Sequence, residues 1–382
     1  MTGVVVLGST GSIGRQTLEV IQAHRDRFTL VGIAARRATA DFRRQLADWP
    51  TARAWCVDAR PPELPRERWA SGGLEELATL DGAEIVVAAT TGMAALSAVL
   101  AALRTGRCVA LANKETLVTG GHLVERLLGE LDGDPLERLR PIDSEHSAIW
   151  QCLAGERLGD VARLVLTASG GPFRDRTGID LATVTPEQAL AHPTWQMGPK
   201  VTVDSATLVN KAFEAIEAKW LYRLPYDRIQ AVIHPQSIVH SLVEFSDGSY
   251  KAQLGFPDMR LPIQYALTYP ERLPSPAQRS TPEAWGPLSF EILEAGRYPA
   301  YDAVRAAAAD GGNRGAILNA ADEVAVAAFL AGTIDFPRIA TVIADAVERW
   351  GAIDEPDLDG IVALDAEVRA ALSSELGLGG AA

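Results

Sequence analysis

In the N-terminal part of the chain, compact apolar runs alternate with stretches whose apolar residues recur three and four apart. The runs at residues 4–7, 28–34, 54–57, 84–89 and 107–111 read as buried strands, and the stretches between them as helices. Such alternation predicts a parallel sheet whose ligand lies at the carboxyl ends of the strands. Residues 85–103 carry no charge, but Thr90-Thr91-Gly92 interrupts them and Ala dominates their second half. They therefore predict strand, turn and buried helix, not a membrane span.

Beyond about residue 141 the rhythm changes. Residues 164–167 predict a strand, 205–220 one helix, and 237–245 with 250–254 a β-hairpin closed by Ser246-Asp247-Gly248-Ser249. Residues 268–288, rich in Pro, Ser and Arg, look like a linker, and helical spacing returns at 301–310, 317–331, 339–350 and 365–376. The expected fold class is α/β. A Rossmann-like parallel-sheet domain spans 1–142, a central α+β catalytic domain with the hairpin spans 143–267, and an α-helical bundle spans 289–382 beyond the linker.

Candidate chemistry gathers at the turns. Val4-Val5-Val6-Leu7 runs straight into Gly8-Ser9-Thr10-Gly11-Ser12-Ile13-Gly14 and then a helical pattern. Glycines there let backbone approach a pyrophosphate beside a helix start, although a plain tight turn needs glycine too. The second strand ends in Ala35-Arg36-Arg37. An NAD-binding unit places an acid there for the ribose hydroxyls, whereas two arginines suit the 2′-phosphate of NADP. Asn113-Lys114-Glu115 closes another strand, where Lys114 either meets an anion or simply opens a helix. Ala168-Ser169-Gly170-Gly171-Pro172-Phe173-Arg174 has the composition of a phosphate nest. His192-Pro193-Thr194-Trp195-Gln196-Met197-Gly198-Pro199-Lys200 is a loop suited either to cover a ligand or to staple onto a core.

Acids form the remaining cluster. If Asp143-Ser144-Glu145-His146 is extended, Asp143 and Glu145 point one way and Ser144 the other. In the helix predicted from Asp204-Ser205 as N-cap, Asn210, Lys211 and Glu214 share a face. Should Glu214 join Asp143 and Glu145, protonation or a hard cation such as Mg2+ or Mn2+ must offset the repulsion. Taken singly, the same residues are solvated acids. His234 and His240 lack ligand spacing and read as structural or interfacial.

Composition narrows the partners. The 382 residues, 47% hydrophobic, can bury large cores, and a net charge of −13 argues against nucleic acid or an anionic membrane as partner. Any anionic ligand must be met locally by Lys and Arg. Cys56, Cys108 and Cys152 lack paired spacing, so reduced thiols are expected. The first residues show neither a basic region nor a long apolar run, so a cytoplasmic protein is expected.

Taken in order, these blocks, together with Gly255-Phe256-Pro257-Asp258-Met259-Arg260, resemble the 1-deoxy-D-xylulose 5-phosphate reductoisomerase family nearly end to end. The resemblance implies an NADPH- and metal-dependent conversion of that small sugar phosphate to 2-C-methyl-D-erythritol 4-phosphate, on the methylerythritol phosphate route to isoprenoids. A chelated ketose phosphate would rearrange by retro-aldol cleavage and recombination, then be reduced. By the same resemblance, Thr10, Gly11, Ser12, Ile13, Arg36, Arg37, Asn113, Glu115 and Gly198 contact NADPH. Asp143, Glu145 and Glu214 bind Mg2+, Mn2+ or Co2+. Lys114, Ser144, Glu145, Ser169, His192, Ser205, Asn210, Lys211 and Glu214 hold the substrate beneath a loop bearing Trp195 and Met197. Of these, Lys114, Asp143, Glu145, His192 and Glu214 would be catalytic, and a homodimer is implied. Ala35-Arg36-Arg37 departs from the Gly-Lys-Asn trio common in the family, which leaves open which arginine meets the 2′-phosphate. Rival readings are an ordinary NADP-dependent dehydrogenase acting on an aldehyde, and a non-catalytic NADP-sensing regulator. A requirement for metal separates them.

Overall fold

A computed structural model of the chain describes residues 1–175, 178–195 and 197–378, so Gln196 of the predicted loop and the Gly/Ala terminus lie outside the described residues. The chain opens with β1 (Thr2–Leu7), α1 (Ser12–Ala23), β2 (Phe28–Ala35), α2 (Ala40–Asp48), β3 (Arg53–Cys56), α3 (Gly73–Ala78), β4 (Ile85–Ala88) and α4 (Leu96–Arg104). It continues through β5 (Cys108–Leu111), α5 (Lys114–Glu130), α6 (Pro135–Arg138), β6 (Leu139–Pro141), α7 (Ser144–Leu153), β7 (Val161–Ala168), α8 (Pro186–Ala189), α9 (Pro199–Thr207) and α10 (Val209–Tyr222). The remainder is β8 (Ile229–Ile233), β9 (Val239–Phe245), β10 (Tyr250–Leu254), α11 (Arg260–Thr268), α12 (Pro282–Trp285), β11 (Glu291–Ile292), α13 (Pro299–Asp310), α14 (Arg314–Leu330), α15 (Arg338–Trp350) and α16 (Leu358–Glu375).

Two compact units emerge. The first combines residues 1–116, 123–150 and 258–279, and the second combines 117–122, 151–257 and the chain from 280 onward. These units cut across the boundaries at 142/143 and 267/268 read from the sequence.

In the first unit all six strands are parallel, in the order β3-β2-β1-β4-β5-β6. The order reverses between β1 and β4, which places a ligand crevice at their carboxyl ends. Helices cover both faces, so the strands are continuous apolar runs: Val4, Val5, Val6 and Leu7 are fully buried. α11 returns from far along the chain to pack on α1. Its Tyr265 meets the ring of Trp150 on α7 at 4.8 Å between centroids. Asp258, just before α11, accepts from Arg260 Nη2 at 2.6 Å and from the Gln278 amide at 3.2 Å, pinning both ends of the returning segment.

The second unit holds a mixed sheet, β10-β9-β7-β8-β11, in which β7 and β8 are parallel. β9 and β10 form the expected hairpin, closed where Phe245 donates to the Ser249 carbonyl at 2.9 Å. The C-terminal helices share one core with α9 and α10, including Val203, Phe213, Val304, Ile317, Phe329 and Ile343. α14 is buried around most of its circumference and serves as the central helix.

Two local expectations are corrected. Residues 143–146 are not extended: α7 begins at Ser144, and the Asp143 carbonyl accepts the first helical bond from Ser147 at 2.8 Å. An acid and a serine ahead of an apolar run are themselves N-terminal helix signals. Residues 205–220 are not one helix either. α9 ends and α10 begins at Leu208, held at φ 58°, so Asp204 and Ser205 lie inside α9 and do not cap it. Gly198 takes the N-cap position, with Pro199 as first helical residue, where its missing N–H costs nothing.

Candidate active site

In the first unit β1 delivers the glycine turn. Gly8 adopts φ +91°, and a Cβ there would stand 2.4 Å from the Ala89 carbonyl oxygen, so only glycine lets β1 turn this close to β4. A Cβ on Gly14 would lie 2.2 Å from the Gly8 oxygen, which lets α1 start hard against the turn. Ser9 is buried and exchanges bonds with Gln45, Oγ to Oε1 at 2.7 Å and Nε2 to its carbonyl at 2.9 Å. The turn is thereby stapled to α2. Gly11 caps α1 without a side-chain bond, and Gly11 and Ser12 are exposed beside half-buried Thr10 and Ile13. That is an anion-ready helix start.

Arg36 and Arg37 follow β2 directly and are both exposed. Asn113 is 1% exposed and caps α5: its Oδ1 accepts from the Thr116 amide at 3.0 Å, while Nδ2 reaches the carbonyls of Thr90 and Gly92 at 2.9 and 2.8 Å and Glu115 at 2.8 Å. Its side chain stiffens the turns at the carboxyl ends of β4 and β5. Next to it, Lys114 Nζ lies 3.0 Å from Asp143 Oδ2, each side chain only 13% exposed. The first turn of α7 sets Ser144 Oγ donating to Glu145 Oε2 at 2.6 Å.

In the second unit β7 runs into Ser169-Gly170-Gly171, with φ +85° and +68° at the glycines. The Gly171 amide donates to Ser169 Oγ at 3.3 Å. His192 Nδ1 accepts from the amides of Thr194 and Trp195 at 3.1 and 2.9 Å, which puts the proton on Nε2. Nε2 stands 3.0 Å from Ser169 Oγ and donates to it. Burial holds the His192 pKa below the usual histidine value, so the ring is neutral at pH 7. The Trp195 ring packs 6.2 Å from His240, and His234 is wholly structural, joining the Ser289 carbonyl at 2.8 Å to the amides of Ile238 and Val239.

α10 supplies the acid. Asn210 Nδ2 donates to Glu214 Oε1 at 2.5 Å, and the Lys211 ammonium pairs with Oε2 of the same carboxylate. Lys211 and Glu214 are buried and share a face, as the spacing predicts. Ser205 is buried near the end of α9, its carbonyl abutting Gly171. Lys200, the last residue of the loop motif, pairs with Asp204 at 2.6 Å and with Asp322 on α14 at 2.7 Å. Nothing in the spacing of Asp322 announces that partnership.

Comparison with known proteins follows these blocks. Family models match over residues 4–121 (1-deoxy-D-xylulose 5-phosphate reductoisomerase), 139–222 (1-deoxy-D-xylulose 5-phosphate reductoisomerase C-terminal domain) and 254–371 (DXP reductoisomerase C-terminal domain). The chain is 48% identical to the 1-deoxy-D-xylulose 5-phosphate reductoisomerase of Thermomicrobium roseum, covering 95% of this chain and 94% of that one. It is 46% identical to that of Pelotomaculum thermopropionicum, covering 96% of each. Among solved structures it is similar to the 1-deoxy-D-xylulose 5-phosphate reductoisomerase from Zymomonas mobilis in complex with NADPH, at TM-score 0.87, 38% identity and 98% of each chain. A DOX-P reductoisomerase in complex with NADPH, fosmidomycin and magnesium superposes at TM-score 0.89 with 33% identity over 99% of each chain.

Proposed function

The chain belongs to the 1-deoxy-D-xylulose 5-phosphate reductoisomerase family, and from that premise we propose how its residues divide the work. The protein converts 1-deoxy-D-xylulose 5-phosphate to 2-C-methyl-D-erythritol 4-phosphate with NADPH and a divalent cation, a step of isoprenoid precursor biosynthesis. Residues 1–142 supply most of the nucleotide contacts, and 143–267 supply the metal ligands and most of the sugar-phosphate contacts.

Asp143, Glu145 and Glu214 hold the cation. The chemistry of the donor set carries this assignment: three carboxylates, all hard oxygen ligands suited to Mg2+ or Mn2+. When bound, the cation polarises the substrate carbonyl as a Lewis acid and NADPH supplies the hydride. The chain's own groups bind and orient. The α1 start takes the pyrophosphate, and Arg36 or Arg37 takes the 2′-phosphate. Asn113, Glu115 and Gly198 complete the cofactor contacts. Ser169 Oγ already accepts from His192 Nε2 and the Gly171 amide. Its own proton is therefore left to point at the substrate phosphate, with Ser205, Asn210 and Lys211 as further donors. Lys114 and Ser144 hold the sugar end beside Asp143 and Glu145. Trp195 and Met197 cover the site, and phosphate binding energy supports that exclusion of water.

Manganese as an alternative metal, a cytoplasmic location and a homodimer complete the proposal. Cys56, Cys108 and Cys152 form no disulfide among the described residues, which suits a reducing compartment. Among the described residues no helix is long and apolar enough to cross a membrane. β10 is an edge strand with Tyr250 exposed, and a second copy can pair against it. The test is to incubate the protein with 1-deoxy-D-xylulose 5-phosphate, NADPH and Mn2+ while following NADPH absorbance. Substrate-dependent oxidation abolished by a chelator is expected. Oxidation indifferent to the chelator would reject the metal assignment and favour an ordinary dehydrogenase.

A further inference from the structure

One buried charged cluster in the second unit takes no part in the chemistry above. Lys200, in the first turn of α9, places its ammonium 2.6 Å from Asp204 on the next turn and 2.7 Å from Asp322 on α14. The two carboxylates are 1% and 0% exposed. Lys200 also sits 5.1 Å over the ring of Phe213 on α10. Two buried acids thus face one ammonium. Burial pushes the Asp322 carboxyl above its usual range, and the Lys200 ammonium draws it back down. Neighbouring Glu323 is occupied by Arg369 at 2.8 Å, and Arg369 also binds Asp365 at 2.6 Å. One turn earlier on α14, Asn319 is fully buried with neither amide atom bonded among the described residues. The most buried helix of the unit thus turns Asp322 toward α9.

α9 is the element this cluster grips. Gly198 caps its start, and Ser205 lies near its end, where the Ser205 carbonyl would meet a Cβ on Gly171 at 2.6 Å. The helix is therefore pinned by charge at one end and wedged by backbone at the other. Sliding it by one residue would move Ser205 by about 1.5 Å, and a fraction of that breaks a hydrogen bond whose useful range spans about 0.5 Å.

We propose that Asp322 is a positioning residue for the reaction: through Lys200 it fixes the register of α9, and with it the Ser205 hydroxyl against the substrate phosphate. The claim rests on the reading of Ser205 as a phosphate donor. Asp322→Asn and Lys200→Met are made in the full chain, singly and together, and assayed at saturating NADPH and Mg2+. The expected result is a KM for 1-deoxy-D-xylulose 5-phosphate raised about tenfold with kcat changed less than about threefold, the double variant being no worse than Lys200→Met alone. Calorimetric binding of the same sugar phosphate without NADPH should show the same ratio of Kd. Wild-type KM and Kd in both single variants overturn the proposal. So does an equal loss of kcat and of active fraction that tracks thermal stability, because that is a purely structural role. If Asp322→Asn does not fold, Lys200→Met decides alone by the same criteria. Wild-type protein that binds the sugar phosphate without turning it over would defeat the functional reading yet leave the Kd ratios to judge Asp322. Wild-type protein that does not bind it would defeat both.

Discussion

Replacing Gly171 with alanine isolates the wedge that locates Ser205. The alanine Cβ would stand 2.6 Å from the Ser205 carbonyl oxygen, whereas ordinary van der Waals contact begins at 3.4 Å, so turn and α9 must part by 3.4 − 2.6, or about 0.8 Å. The left-handed backbone at φ +68° adds about 1–2 kcal/mol of strain. Misplacement on the order of 1 Å costs catalysis about a hundredfold. kcat/KM for 1-deoxy-D-xylulose 5-phosphate should accordingly fall by about tenfold to a hundredfold, measured as the NADPH absorbance decrease under saturating Mg2+. Gly155→Ala is the control, because Gly155 has φ +81° with nothing within 4 Å of the added carbon. It should lose a similar about 1–2 kcal/mol in urea unfolding and keep its kinetics. If Gly171→Ala matched that control in both stability and kcat/KM, contact with the turn would not locate Ser205 and the phosphate cradle would be misassigned.

Three further outcomes are expected. Glu214→Gln should remain folded but less stable, since the buried Lys211 then faces a neutral amide, and should lose most turnover; near-normal activity at saturating Mg2+ would remove Glu214 from the ligand set. Arg36→Ala combined with Arg37→Ala should raise the Kd for NADPH at least about tenfold more than that for NADH, and equal weakening would undo the 2′-phosphate assignment. His192, proposed above to hold the substrate, has a pKa lowered by burial. Turnover should hold through about pH 6.5, the unfolded value, and fall only as pH drops through the lower folded one. Stability has the same sign: the folded state is penalised once the unfolded histidine protonates first, so the loss appears on acidification. A kcat/KM profile whose acid limb survives in His192→Asn would assign that limb elsewhere.

What the sequence made legible was short-range. The five apolar runs of the N-terminal part, the glycine turn and the four C-terminal helices each announce themselves within a dozen residues, and all form. Asn210, Lys211 and Glu214 fall on one face because helical spacing needs no tertiary knowledge. The failures were of two kinds. Asp143-Ser144-Glu145 carries both a strand-like alternation and a helix-start composition, and the apolar Ile149 and Trp150 beyond it, both buried, decide for helix. Other features depend on partners remote in the chain. The return of α11 to α1 and the pairing of Lys200 with Asp322 leave no periodic trace, since nothing local distinguishes an acid destined for burial from one on the surface.

The break at Leu208 shows how such tertiary demands override propensity at the site. A leucine at φ 58° costs about 1–2 kcal/mol relative to a helical conformation, and helical spacing alone would run α9 into α10 without interruption. Leu208 is 2% exposed and packs with Ala168, Ile233 and Tyr298, and burying a leucine contributes about 1.5–3 kcal/mol, enough to hold the kink. Tyr298 in turn donates its hydroxyl to the Gly170 carbonyl at 3.0 Å, so one small cluster fixes both the kink and the turn that follows β7. Thr207 Oγ accepts from the Val209 amide at 3.3 Å, completing the restart. The consequence is chemical: a new helix begins at Val209, and its positive dipole end falls on Asn210 and Lys211 instead of being cancelled along one long helix. The strain at Leu208 therefore sits where it adds to the side-chain donors, and that explains why a residue so unsuited to the left-handed region is found at the junction of two otherwise regular helices.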